Sequence, residues 1–126
     1  MVYSRYARRV LTAHRVVAVC VLACTFVTAA AGLLAYRRGR AGAFVPQLIA
    51  LAQTLLVAQV GLGLLLLSSH HRAAQRLHYA YGTLALAAVL APWLYAPEEP
   101  RRRLLWFALA TLLAGALAVR AYMTGG

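Results

Sequence analysis

The chain has 126 residues, 63% of them apolar and 12% charged, and carries a net charge of +11 from thirteen arginines against Glu98 and Glu99, with no lysine. A soluble domain of this size could not bury so much apolar surface, so the composition excludes an ordinary water-soluble globule and points to a bilayer as the solvent. Nucleic-acid binding is not expected either, because the arginines cluster between apolar runs, with no aromatic–basic stripe and no separate polar module to carry them.

Taken in chain order, four apolar runs emerge, each long enough to cross a hydrocarbon core of about 30 Å at about 1.5 Å per residue. The first, roughly Val16 to Tyr36, predicts a helix over about 10–36 and ends at Arg37-Arg38-Gly39-Arg40. Arginines followed by an apolar run and Thr28-Ala29-Ala30-Ala31-Gly32 resemble a cleavable signal peptide. The run continues past those small residues to Tyr36, and it is read as a retained span. Cys20 and Cys24, at i and i+4, are poorly placed for a disulfide along one helix and are expected to be buried as small apolar groups.

The second run predicts a helix over 44–68, with Pro46 in its first turn, where proline is tolerated. The third predicts a helix over 73–95, with Pro92 near its end and Pro97 beyond. The fourth, entered through Glu98-Glu99-Pro100 and three arginines, predicts a helix over 103–123. Short connections make consecutive helices antiparallel neighbours, so the expected fold is all-α: a polytopic membrane protein, one transmembrane domain over 1–126, built as an up-down four-helix bundle. Tyr3, Tyr6, Tyr36, Tyr79, Trp93, Tyr95, Trp106 and Tyr122 lie near the run ends, as an interfacial aromatic belt requires.

Orientation is not set by charge. Seven arginines (5, 8, 9, 15, 72, 76, 120) fall on one side of such a bundle and six (37, 38, 40, 101, 102, 103) on the other. Abundant Arg, Ala, Leu and Gly without lysine suggest a GC-rich prokaryotic genome, and hence an inner (plasma) membrane.

The histidines fall on one side. His14 lies near the start of the first helix and His78 in the first turn of the third, so an up-down bundle puts both at similar depth on parallel helices. Two imidazoles at one level can hold a single heme iron from opposite faces. Along the first helix Ala18, Val21, Thr25, Thr28 and Gly32 form a face of small groups, read here as room for a porphyrin. Gly82, one turn from His78, and Gln59 and Gly63 near the end of the second helix extend that reading. Arg15, Arg72 and Arg76 flank the site as partners for heme propionates. His70 and His71 are expected to be solvated loop residues; a zinc site built from them and His78 lacks a completing cysteine or carboxylate.

These elements resemble the heme A synthase family. His14-Arg15 is similar to its His-Arg pair at a helix entrance, Gln59-Val60-Gly61-Leu62-Gly63 to its Gln-x-x-Leu-Gly element, and Leu77-His78 to its Leu-His element. The resemblance covers roughly residues 10–95. It implies a four-helix bundle like one half of such an enzyme, with His14 and His78 as axial ligands of one heme, read here as b-type, and the histidine face outward. Three departures stand out. The chain matches one half in length, its histidines sit on the first and third helices instead of the second and fourth, and Leu11 stands where the family has a glutamate. That carboxylate is implicated in the family's oxidation chemistry, so synthase activity is not expected.

The chain shows no nucleophile–base pair, phosphate loop or intramembrane carboxylate pair, which points away from independent catalysis. Absence of acidic residues within the spans argues against a transporter. Two expectations result. One is a small bis-histidine heme protein for electron transfer or heme handling beside a respiratory complex. The other is a cofactor-free structural or assembly subunit of a larger membrane complex, or a homo-oligomer, packing through small residues such as Thr111, Gly115 and Ala118.

Overall fold

The computed structural model describes residues 2–39, 42–68 and 75–125, with the main chain alone at 2–4 and 7. It contains four helices, α1 (Val2–Arg38), α2 (Phe44–Ser68), α3 (Leu77–Tyr95) and α4 (Pro100–Thr124), each long and apolar enough to cross a membrane, and no strand among the described residues. The protein is an all-α four-helix bundle.

Three boundaries differ from the sequence reading, each for a local reason. Helix α1 begins eight residues earlier than expected, because Val2–Arg9 holds no glycine or proline to stop a helix even though its apolar content is low. It ends where Gly39 takes a φ of 80°, a left-handed conformation that costs glycine little. Helix α3 starts at Leu77, after a turn in which Gln75 and Arg76 carbonyls accept from the His78 and Tyr79 amides; residues 73 and 74 lie outside the described residues. Helix α4 starts at Pro100, three residues early. Proline's fixed φ and missing N–H suit the first helical position, and the Glu99 carboxylate accepts from the Arg101 and Arg102 amides at 3.1 and 2.8 Å. Those hydrogen bonds, Arg102's first and then Arg101's, hold the exposed Glu99 carboxyl below its ordinary value.

Helix α1 packs along α2 and α4, and α4 packs along α3; the α2–α3 seam is thin, and α1 and α3 face each other across the diagonal. The interior is built from small side chains. Ala29, Ala52, Ala85, Ala108 and Ala114 are buried together with Thr25, Thr28 and Thr111, while Leu51, Leu64, Leu84, Leu94, Leu109 and Leu113 point outward. That is the reverse of a soluble core and follows from the solvent: lipid accepts leucine as readily as a neighbouring helix does, so small residues that let backbones approach occupy the contacts. The closest approaches lie on the α1–α4 seam, where a Cβ added at Gly32 would stand 3.0 Å from the Ala108 Cβ, and one at Gly115 3.0 Å from Thr25 Oγ1.

This seam corrects two expectations. The Val21–Thr25–Thr28–Gly32 face of α1 is buried against other helices instead of lining a porphyrin, with Thr28 donating to the Leu48 carbonyl at 3.3 Å. Thr111 and Gly115, expected to meet an external partner, are buried inside the bundle, and Ala118 packs on the central cluster of Val21, Leu56, Ala85, Val89 and Ala114. Unlike Thr28, Thr25 and Thr111 bond within their own helices, Thr25 to the Val21 carbonyl at 2.8 Å and Thr111 to that of Phe107 at 2.7 Å.

The thin α2–α3 seam is bridged by Gln53. Its Nε2 donates to the Val89 carbonyl at 3.4 Å and its Oε1 accepts from Trp93 Nε1 at 3.1 Å. The bridge sits beside Pro92, which is buried within α3 and has no N–H to return to the preceding turn. The other described tyrosines and tryptophans at the run ends, Tyr36 apart, are exposed, as a belt at the two interfaces requires; the Tyr3 side chain lies outside the description. Cys20, expected to be buried, is exposed on the outer face, and Cys24 is half-buried with its Sγ 3.8 Å from Thr28 Oγ1; both are free thiols. They border an apolar hollow of about 400 Å³ that opens between α1 and α2.

Candidate functional site

At one end of the bundle all four helices converge on two imidazoles. His14 of α1 and His78 of α3 come from diagonal helices, and their ring centroids lie 6.1 Å apart with the planes at 79°. Both rings are half-buried. Parallel helices across a diagonal, with His78 in the first turn of α3 and His14 about three turns into the longer α1, bring the two side chains to one level in the central space. That is the placement expected from the sequence.

Each ring is positioned by a different neighbour. The His78 Nδ1 makes a 2.6 Å hydrogen bond with the Ala121 carbonyl of α4. A carbonyl can only accept, so Nδ1 carries the proton, and in the neutral ring that leaves the lone pair on Nε2. Gly125 lets the chain end close over this ring, since a Cβ there would stand 3.1 Å from His78 Cε1 and Nδ1. The α4 end is tied down as the Gln75 amide donates to the Thr124 carbonyl at 3.3 Å. Tyr79 stacks edge-on against His78 at 5.8 Å. On the other side, Gly63 of α2 leaves room for His14, whose Cε1 would lie 3.4 Å from an added Cβ. His14 Nδ1 and Gln59 Oε1 are buried with no hydrogen-bond partner among the described residues.

That last pair is informative, because a buried polar atom left unpaired costs roughly 1–3 kcal/mol and is retained where a ligand or function completes it. The spacing can be tested against a metal centre. Two nitrogen–metal bonds of about 2 Å each, with about 1 Å from each nitrogen to its ring centre, span about 6 Å when both imidazoles bind one ion from opposite sides. The 6.1 Å separation of the edge-on rings lies within that reach. The His78–carbonyl hydrogen bond is also the outer contact that fixes tautomer and orientation in ligating histidines.

Among the described residues no three His, Cys, Asp or Glu side chains converge. An ion that brings its own equatorial nitrogens, as heme iron does, needs only the two axial imidazoles. Beside His78, the space in front of Gly82 is open, with no atom within 4 Å of where a Cβ would stand.

Of the residues singled out in the sequence, the structure brings together His14, His78, Gln59 and Gly63. The Arg15 and Arg76 side chains are exposed at the same end and make no hydrogen bond or ion pair among the described residues. Arg72, His70 and His71 lie outside the described residues. The contributions of α4 were missed. Ala121 acts through its main-chain carbonyl and Gly125 through lack of a side chain, so neither leaves a chemical signal in the sequence. Arg120, one position from Ala121, lies over the Tyr81 ring at 5.5 Å.

No family model matches the chain, and no curated protein or solved structure is similar enough to it to count as a relative.

Proposed function

We propose that this chain is a small membrane cytochrome, holding one b-type heme between His14 and His78 and serving electron transfer or heme handling beside a respiratory complex in a prokaryotic inner membrane. The observation that carries the reading is the meeting of two imidazoles from diagonal helices at 6.1 Å, one of them with its outer nitrogen pinned to a carbonyl. A bound heme would supply one-electron chemistry. His78, oriented by Ala121, and His14 from across the bundle are the residues that would hold it. Gln59 holds a buried acceptor beside them, and Gly63 gives His14 its space. Arg15 and Arg76, with Arg72 adjoining in sequence, are the cations available to the propionates at this face. No acid–base pair accompanies the histidines, and Leu11 occupies the position of the resembling family's glutamate, so the role is to hold and relay rather than to oxidise a substrate.

The test is a visible absorption spectrum of protein purified from cells given ample heme precursor. A Soret band is expected, and it should vanish in the double variant His14→Ala, His78→Ala while far-UV circular dichroism stays helical. A wild-type protein without a Soret band overturns the cytochrome and leaves a cofactor-free structural or assembly subunit.

A further inference from the structure

The opposite end of the bundle carries a different feature. Where the C-terminal turns of α1 meet the start of α4 lies a cavity of about 360 Å³, lined by Ala35, Tyr36, Gly39, Glu99, Pro100, Arg101 and Leu104. Arg101 lies over the Tyr36 ring with its guanidinium carbon 4.7 Å from the centroid. A cation held over a ring in this way interacts through the ring's π-face and still has N–H donors to offer a ligand. Among the described residues nothing takes a hydrogen bond or ion pair from that guanidinium. Glu99 lines the same cavity; both of its oxygens accept main-chain amides of α4, and its charge offsets part of that of Arg101 and Arg102 without an ion pair to either. Arg37, Arg38 and Arg102 are exposed at the same end, so among the described residues five arginines, counting Arg101 and Arg103, stand against two glutamates there.

Depth identifies the occupant. Helix α3, with 19 residues, is about as long as the hydrocarbon core is thick, so its end at Tyr95 marks one edge of the core. The cavity lies just beyond that edge, at the level of lipid headgroups, and Ala35 and Leu104 give it an apolar inner wall. We propose that this corner is a binding site for an anionic phospholipid, its phosphate on Arg101 and its acyl chains running down the α1–α4 surface. The site is independent of the histidine pair and survives whether or not heme binds.

The experiment is native mass spectrometry of the purified protein released from micelles containing equimolar phosphatidylglycerol and phosphatidylcholine. Wild type is expected to retain phosphatidylglycerol in preference. Arg101→Gln should lower that retention about five-fold, the worth of one interfacial arginine, whereas Arg8→Gln, an exposed arginine toward the opposite end, should leave it unchanged. Equal retention of the two lipids by wild type, or equal retention of phosphatidylglycerol by wild type and Arg101→Gln, overturns the proposal. So does displacement of the lipid by inorganic phosphate at comparable concentration, which would make the site one for free phosphate. Should Arg101→Gln not fold by circular dichroism, Tyr36→Leu, which keeps the charge and removes the ring that positions it, carries the comparison with a smaller expected loss.

Discussion

Replacing glycine by alanine in this bundle should change stability in opposite directions at different positions, and the distances say which. In a helix interior alanine is favoured over glycine by about 0.8–1.0 kcal/mol. At Gly61 an added Cβ meets nothing within 4 Å, so Gly61→Ala should keep that gain and stabilise the fold. At Gly63 the new carbon lands 3.4 Å from His14 Cε1, close to ordinary contact, and the imidazole can give by a few tenths of an ångström. Gly63→Ala should therefore be nearly neutral. At Gly32 the new carbon stands 3.0 Å from the Ala108 Cβ, which is fixed to a fully buried backbone and cannot swing away. Restoring a carbon–carbon separation of about 3.5–4.0 Å means parting α1 from α4 by about 0.5–1 Å. Overpacking of that kind costs about 1–3 kcal/mol, which exceeds the propensity gain, so Gly32→Ala should destabilise. The assay is reversible unfolding in mixed micelles on adding sodium dodecyl sulfate, followed by far-UV circular dichroism. If Gly61→Ala and Gly32→Ala shift the midpoint in the same direction, the packing argument for the α1–α4 seam is wrong.

Gln53→Leu removes both polar links across the thin α2–α3 seam, to Val89 and to Trp93, and should cost about 0.5–1.5 kcal/mol per hydrogen bond lost, with altered tryptophan emission. The Glu99 carboxyl is held below its ordinary value of 4.5 in the folded protein. Its contribution is therefore complete above that pH and disappears as pH falls through the lower folded value. Protection of the Arg101 and Arg102 amides, taken relative to the intrinsic exchange rate at each pH, should fall in acid for wild type, and Glu99→Gln, which keeps an acceptor without the charge, should flatten that dependence.

The four helices and their membrane character were legible because they depend on local quantities: run length, apolar content, and proline at tolerated positions such as Pro46. The bound of α2 was read correctly, and those of α1 and α4 were set too far inside because arginines were counted against helix when only glycine and the Glu99–Pro100 start govern its ends. That His14 and His78 share a face also followed from the sequence, since the direction of each helix alternates in an up-down chain. What the sequence could not supply was which small residues face inward. Helix α1 has small groups on several faces, and the one read as room for a porphyrin is the one that meets α4.

From sequence alone came the number of spans, the interfacial aromatics and the level of the two histidines, because each is set by spacing along one helix. Only the tertiary structure decided the 6.1 Å separation of the rings, the Ala121 carbonyl that orients His78, and the Arg101–Tyr36 stack beside a cavity. Those depend on how one helix is rotated against another, and main-chain carbonyls and missing side chains, which carry much of that contact, look alike in any sequence.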